Sequence, residues 1–166
     1  MVILATVFVL IGALLIRASF VIVPPGHIGV LTKYGRPQEK LMAPGLHVIT
    51  PFVWKIIPVN VEPQTLEHRF SAPSEDYVEI HLSLKLVFVV RFPVRTVSTI
   101  RSPAQPYIAK AIDASLKAVL SEHRAQEFAT QQAELKEQFV EEIEARLNAF
   151  GIEATEIYIE RFGPDE

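Results

Sequence analysis

Between Tyr77 and Val90 the chain reads YVEIHLSLKLVFVV, and its polarity alternates with a period of two. Val78, Ile80, Leu82, Leu84 and Leu86 share one side and Glu79, His81, Ser83 and Lys85 the other, which predicts a half-buried strand of an antiparallel sheet. SAPSED, at 71–76, supplies turn residues that join it to a broken strand over Val59 to Phe70, where Pro63 requires a sheet edge or a bulge. Upstream, His27 to Tyr34 reads as a strand closed by a turn at Gly35-Arg36-Pro37, and Leu46 to Ile49 and Val53 to Ile57 are short apolar runs on either side of Thr50-Pro51. From Pro103 the period lengthens. Ile108, Ile112, Leu116 and Val119/Leu120 recur at three and four, predicting an amphipathic helix of about four turns. A break over Ser121 to Gln126 precedes a second helical stripe of Leu135, Phe139, Ile143, Leu147 and Phe150, with Gly151 where a left-handed C-terminal cap belongs. Ile152 to Phe162 returns to strand-like residues, so the pattern is α+β.

The first twenty residues, MVILATVFVLIGALLIRASF, fit neither period. Met1 to Ile16 carries no charged side chain, and as a helix it would rise about 24 Å, short of a hydrocarbon core of about 30 Å. Arg17 can snorkel to the headgroups while Ala18, Ser19 and Phe20 continue into the interface, which makes a span feasible with modest bilayer thinning. The expected anchor residues are Val2, Ile3, Leu4, Val7, Phe8, Val9, Leu10, Ile11, Leu14, Leu15 and Ile16. A secretory signal would have a basic segment ahead of the apolar run, and no basic side chain precedes Val2. A buried strand of ordinary length accounts for Phe20 to Val23 but not for the whole run. Pro24-Pro25-Gly26 then ends any helix.

Charge is unevenly divided over the 166 residues. Residues 1–121 hold 12 Lys/Arg against 7 Asp/Glu, a net of +5, and residues 122–166 hold 4 against 12, a net of −8. The total of −3 gives no electrostatic support for nucleic-acid binding. Absence of cysteine removes disulfides, thiolate nucleophiles and thiolate metal sites. The histidines 27, 47, 68, 81 and 123 form no pair at helical spacing for a metal. His68 and His81 are expected on neighbouring strands as a solvent-facing pair, and His47, among apolar neighbours, suits a bond to a backbone carbonyl. No serine lies in G-x-S-x-G, the glycines of PPGHIG precede a strand rather than a helix, and Glu141, Glu142 and Glu144 read as a solvated helix face. No catalytic residue, metal ligand or cofactor site is expected, and the chain reads as a non-enzyme.

FVIVPPGHIGVLTKYGRPQEKLMAPGLHVITPFVWKIIPVNV resembles the opening of the stomatin, prohibitin, flotillin and HflK/HflC superfamily, also called SPFH or band 7, and is nearest to its prohibitin branch. The resemblance rests on Pro25, Gly26, Gly29, Val30, Tyr34, Gly35, Pro44, Gly45, Leu46, His47, Pro51 and Phe52 after an apolar N-terminus, and continues through VEIHLSLKLVFVV to AFGIEATEIYIERF. It implies an α+β fold: a transmembrane anchor over 1–19, a mostly β first subdomain over 20–100 and a second subdomain of two packed helices and a strand over 101–163. In that family a long Ala/Glu-rich coiled coil would begin where this sequence reaches Glu166. The implied function is that of a membrane-anchored scaffold, a homo-oligomer or a hetero-oligomer with a paralogue. Such scaffolds form rings or cages, organise a lipid microdomain and restrain a membrane AAA protease. The implied location is single-pass in a bacterial inner or plasma membrane or the mitochondrial inner membrane, with the side of the soluble part left open.

On that layout the basic part lies at the bilayer, with Arg17, Lys33, Arg36, Lys40 and Lys55 as candidate headgroup contacts, each worth about 1 kcal/mol near an anionic surface. The acidic helix from Gln132 to Phe150 would meet a basic strand surface of the next subunit head to tail, with Glu134, Glu137, Glu141 and Glu144 facing Arg91 and Arg95. The alternative is a monomeric adaptor that holds one membrane protein through the sheet edge or the acidic helix.

Overall fold

The computed structural model describes residues 2–100 and 105–164. Elements follow in the order α1 (Val2–Ser19), β1 (Phe20–Val23), β2 (His27–Lys33), β3 (Arg36–Met42), β4 (Gly45–Val48), β5 (Trp54–Asn60), β6 (Gln64–Pro73), β7 (Glu79–Val90), α2 (Pro93–Ile100), α3 (Gln105–Glu122), α4 (Ala125–Thr130), α5 (Gln132–Ala149) and β8 (Ile152–Pro164). Three antiparallel sheets result, ordered β1-β4, β3-β2-β5 and β6-β7-β8. The expected α+β class holds, with several small sheets in place of one. By internal contacts the chain divides between Glu62 and Pro63, a different division from the expected boundary after residue 100.

In the first unit, Val23, Leu31 and Ile56 form a small core with Val21, Met42, Ile49 and Trp54 packed against it. Gly29 makes that packing possible, because a Cβ there would lie 2.6 Å from Ile56 Cγ2 and 2.9 Å from Val23 Cγ2. The expected turn after Tyr34 is tighter than predicted. Gly35 takes φ +78, and Arg36 and Pro37 belong to β3, which pairs Lys33 with Arg36 and Thr32 with Pro37. A polar segment, RPQEKLM, becomes a strand because β2 offers it an unpaired edge and little of it is buried. Pro58 is tolerated because β5 is an edge strand.

The second unit is built on β7, whose alternation is as predicted from Ile80 onward: Ile80, Leu82, Leu84, Leu86, Phe88 and Val90 are buried and the residues between them are not. Val78, expected on the same face, is exposed because Tyr77 at φ +62 ends the preceding turn and the strand begins only at Glu79. β6 and β8 flank β7, and α3 and α5 pack together with their predicted apolar stripes inward, except that Phe150, expected to close the second stripe, follows α5 as its C-cap and is half-buried. Each fully buried large side chain, Phe88, Phe139 or Leu116 for example, contributes about 1.5–3 kcal/mol by leaving water. Pro63 precedes β6 rather than interrupting it, so the broken strand expected over Val59 to Phe70 is two strands in two units. Two short helices lie outside the predicted elements. α2 buries Pro93, Thr96, Val97 and Ile100, and α4 occupies part of the expected break. Gly151 caps α5 as predicted, at φ +78, and its carbonyl accepts from the Arg91 and Phe92 amides at 3.1 and 3.0 Å.

The expected anchor is the helix α1, 18 residues with Arg17 in the last turn, about 27 Å long at about 1.5 Å per residue. The side chains of Val2, Ile3, Leu4, Phe8 and Val9 lie outside the described residues. Among the described residues no helix is long and apolar enough to cross a membrane. From Val7 to Ile16 the axial rise is about 14 Å, half of a hydrocarbon core of about 30 Å.

Candidate functional site

A backbone bond ties the end of α1 into the first unit: the Ile49 amide donates to the Ser19 carbonyl at 2.8 Å. Val7, Leu10, Ile11, Leu14, Leu15 and Ile16 are all exposed on the helix, an amount of apolar surface unusual against water. The apolar surface continues beyond it. In the β1-β4 ribbon Phe20 pairs with Val48 and Ile22 with Leu46. These four side chains share one face, with exposures from 49% to 72%, while Val21 and Val23 on the other face turn into the core. Period-two spacing produces this two-sided ribbon, and Phe20/Ile22 and Leu46/Val48 are visible in the sequence as alternating pairs.

Five residues beyond Ile49, Trp54 starts β5, so the α1-proximal end of the β3-β2-β5 sheet carries the two tips Tyr34-Gly35 and Pro51-Phe52. The Tyr34 amide donates to the Val53 carbonyl at 3.0 Å and joins them. Tyr34 and Phe52 hold φ +47 and +69 and are 73% and 86% exposed. A left-handed non-glycine backbone costs about 1 kcal/mol or more, so two aromatic side chains displayed at that cost mark the tips as functional candidates. The amphipathic Tyr34 ring suits the headgroup layer, and the wholly apolar Phe52 ring suits the acyl boundary beneath it. Neither residue was singled out in the sequence for a role of its own, because strain at φ has no compositional signal outside glycine and asparagine.

Three of the expected headgroup cations converge at this end. Lys33 is opposite Arg36, Lys55 is opposite Thr32, and the Lys33 ammonium lies 5.2 Å from the Trp54 ring centre, a cation–π contact. Arg17 is exposed in the last turn of α1, and Lys40 lies further along β3 beside exposed Leu41.

In the second unit the expected interface residues part company. Glu134, Glu137, Glu141 and Glu144 are exposed on α5, and the last three line a groove of about 420 Å³ with Val140, Ile157 and Ile159. Arg91 and Arg95 are engaged within the chain. Arg91 Nε donates to Glu153 Oε2 at 2.5 Å, and Arg95 donates to the Asn148 carbonyl at 3.3 Å and lies 5.2 Å from the Phe92 ring. That hydrogen bond, with the attraction between the charges, holds the Glu153 carboxyl below its ordinary range and Arg91 above its own. Tyr158 is raised by its hydrogen bond to Glu156 and by the adjacent negative charge.

The histidines take structural positions. His47 Nε2 donates to the Ala43 carbonyl at 2.7 Å, as its apolar surroundings predict. His68 and His81 do lie on neighbouring strands, but not as a pair: His68 is directed to α3, where its Nε2 is 2.6 Å from Asp113 Oδ1, and His81 is opposite Ser71 on the other face. Among the described residues no group of three or more His, Cys, Asp or Glu is placed to hold a metal ion.

The fold is thus an α+β domain whose exposed apolar surface runs from an N-terminal helix onto a β-ribbon, with aromatic and basic residues nearby. Residues 21–166 match the SPFH domain / Band 7 family, and the chain belongs to that family. Its members are in general membrane-associated, oligomeric scaffolds without enzymatic activity. No curated protein matches the chain.

Proposed function

We propose that this protein is a single-pass, membrane-anchored scaffold of the prohibitin/stomatin type, whose copies assemble into rings or cages that organise a membrane microdomain and restrain a membrane AAA protease. The observation that carries the reading is the continuity of exposed apolar surface from Val7 on α1 to Phe20, Ile22, Leu46 and Val48 on the β1-β4 ribbon, coupled through the Ile49–Ser19 bond. A helix that is apolar all round belongs in a core or a bilayer, and the described part of α1 is exposed. The ribbon then lies at the interface, and Lys33, Arg36 and Lys55 at the neighbouring tips meet anionic headgroups, each contributing about 1 kcal/mol before screening. Confinement to two dimensions raises the effective concentration of neighbours, so modest lateral contacts suffice for assembly.

The test is gentle extraction of the full chain from its own membrane, followed by native electrophoresis and negative-stain imaging. Large closed particles are expected. A single small species over a wide concentration range overturns the scaffold reading, and co-purification at a fixed one-to-one ratio with one membrane protein would establish the adaptor in its place.

A further inference from the structure

The β6-β7-β8 sheet has two open edges, and they differ in charge. β6 and β8 both run antiparallel to β7, so they are parallel to each other, and neither has a second strand neighbour among the described residues. Along the β8 edge, α5 presents Glu137, Glu141 and Glu144, with Lys136 as the one cation lining the same groove. Its apolar floor is Val140, Ile157 and Ile159. α4 also packs against β8, but none of its residues lines the groove.

Along the β6 edge the flanking helix is α3, which packs on β6 through the His68–Asp113 contact of 2.6 Å and the Lys117 ammonium at 5.7 Å from the Phe70 ring. Asp113 is thus matched to His68. Lys110 and Lys117, seven residues apart and so on one face of α3, are exposed beside that edge. On α5, Glu137 and Glu144 are also seven apart, with Glu141 between them. The β6 side chains on the helix-covered face, Leu66 and Phe70, are half-buried.

We propose that the β8 edge of one copy receives the β6 edge of a second copy, which extends the three-stranded sheet by parallel pairing. The neighbour's Leu66 and Phe70 enter the groove over Val140, Ile157 and Ile159, and its Lys110 and Lys117 face Glu137, Glu141 and Glu144. Charge selects this pairing over its rivals. Joining β8 to β8 opposes carboxylates to carboxylates, and joining β6 to β6 opposes ammonium groups, whereas β8 to β6 matches opposite signs. Such a contact uses different surfaces on the two partners, so it repeats from copy to copy and closes into a ring when the rotation allows. The inference rests on the oligomeric reading above and names its interface.

The chain has no cysteine, so introduced thiols report without background. Two differently tagged full-length copies, one with Glu141→Cys and one with Lys117→Cys, are co-expressed in the membrane and treated with a short thiol-reactive bifunctional reagent. A product carrying both tags is expected, and neither variant expressed alone should cross-link to itself. Glu137→Lys with Glu141→Lys in the first copy should reduce that yield, read at Glu144→Cys, by at least tenfold. Lys110→Glu with Lys117→Glu in the second copy, read at Ala114→Cys, should restore it. These positions are exposed or half-buried, and far-ultraviolet circular dichroism checks that the variants fold. Large extracted particles without the two-tag product, or with a product insensitive to charge reversal, would overturn the sheet-edge interface and leave the scaffold standing. Failure of the full chain to cross-link in the membrane with a general amine-reactive reagent would overturn the scaffold and the interface with it.

Discussion

Phe52 spends a left-handed backbone on displaying a ring to solvent, which makes strain and function separable at a single residue. Asparagine tolerates that conformation better than phenylalanine. Phe52→Asn should therefore stabilise the fold by up to about 1 kcal/mol while weakening adsorption to vesicles, as read by denaturant midpoint and by flotation. Equal loss of both would remove the tip from the membrane surface. Gly29 shows the opposite constraint, since its strand conformation suits any residue but Ile56 and Val23 leave no room for a methyl group. Gly29→Ala should destabilise the first unit by about 1–3 kcal/mol with an unchanged denaturant slope. At Gly151 space and backbone both forbid a side chain, with φ +78 and the Phe92 carbonyl 2.8 Å from a built Cβ. The Arg91–Glu153 pair makes a pH prediction. The Glu153 carboxyl is held low in the folded state, so its contribution is present at neutral pH and is lost as pH falls through that lowered value. The advantage of the native chain over Arg91→Met should be small, because the pair is exposed, and should vanish in acid; an advantage that grows in acid would refute the pairing.

Among the elements, those with long, regular periods were legible. β7 has six buried positions in strict alternation, and α3 and α5 show their inward stripes as spaced residues. Phe139, fully buried on α5, should cost about 3–5 kcal/mol on truncation to alanine, measured by chemical denaturation. The missed elements are short or polar. β3 has almost no buried side chain of its own and exists because β2 has an edge to offer, while α2 and α4, of eight and six residues, lie below the length at which a period can be counted. Pairing partners were also hidden: β8 joins β7 across more than sixty residues, which brings β6 and β7 into one unit with the helices and moves the division to Glu62/Pro63. At the candidate interface the sequence offers Glu134, Glu137, Glu141 and Glu144 with Arg91 and Arg95, and the cations proposed above for the sheet edge come from packing instead. Arg91 and Arg95 are engaged within the chain, and Lys110 and Lys117 acquire their position only because α3 packs on β6.

For the whole molecule, attachment to a membrane should have two separable parts, an apolar one through α1 and the ribbon and an ionic one through Lys33, Arg36 and Lys55. Arg36→Gln with Lys55→Gln should weaken binding of the full chain to anionic vesicles by about 30-fold at low salt, at about 1 kcal/mol per cation, and leave binding to neutral vesicles unchanged. At high salt the difference should disappear, because exposed charges are screened over a few ångströms; a salt-independent loss would place those residues in folding instead. By itself the sequence determined the α+β class, the family, the apolar N-terminal helix, the central strand, the two main helices and the opposition of a basic part to an acidic one. All of these are carried by period, composition and order along the chain, which are local quantities. The tertiary structure alone decided which strands pair, where the chain divides, that the ribbon's outer face continues the apolar surface of α1, and that one sheet ends in an acidic and a basic-flanked edge. Those properties depend on contacts between residues far apart in sequence, and a strand's periodicity specifies its two faces without naming its neighbour.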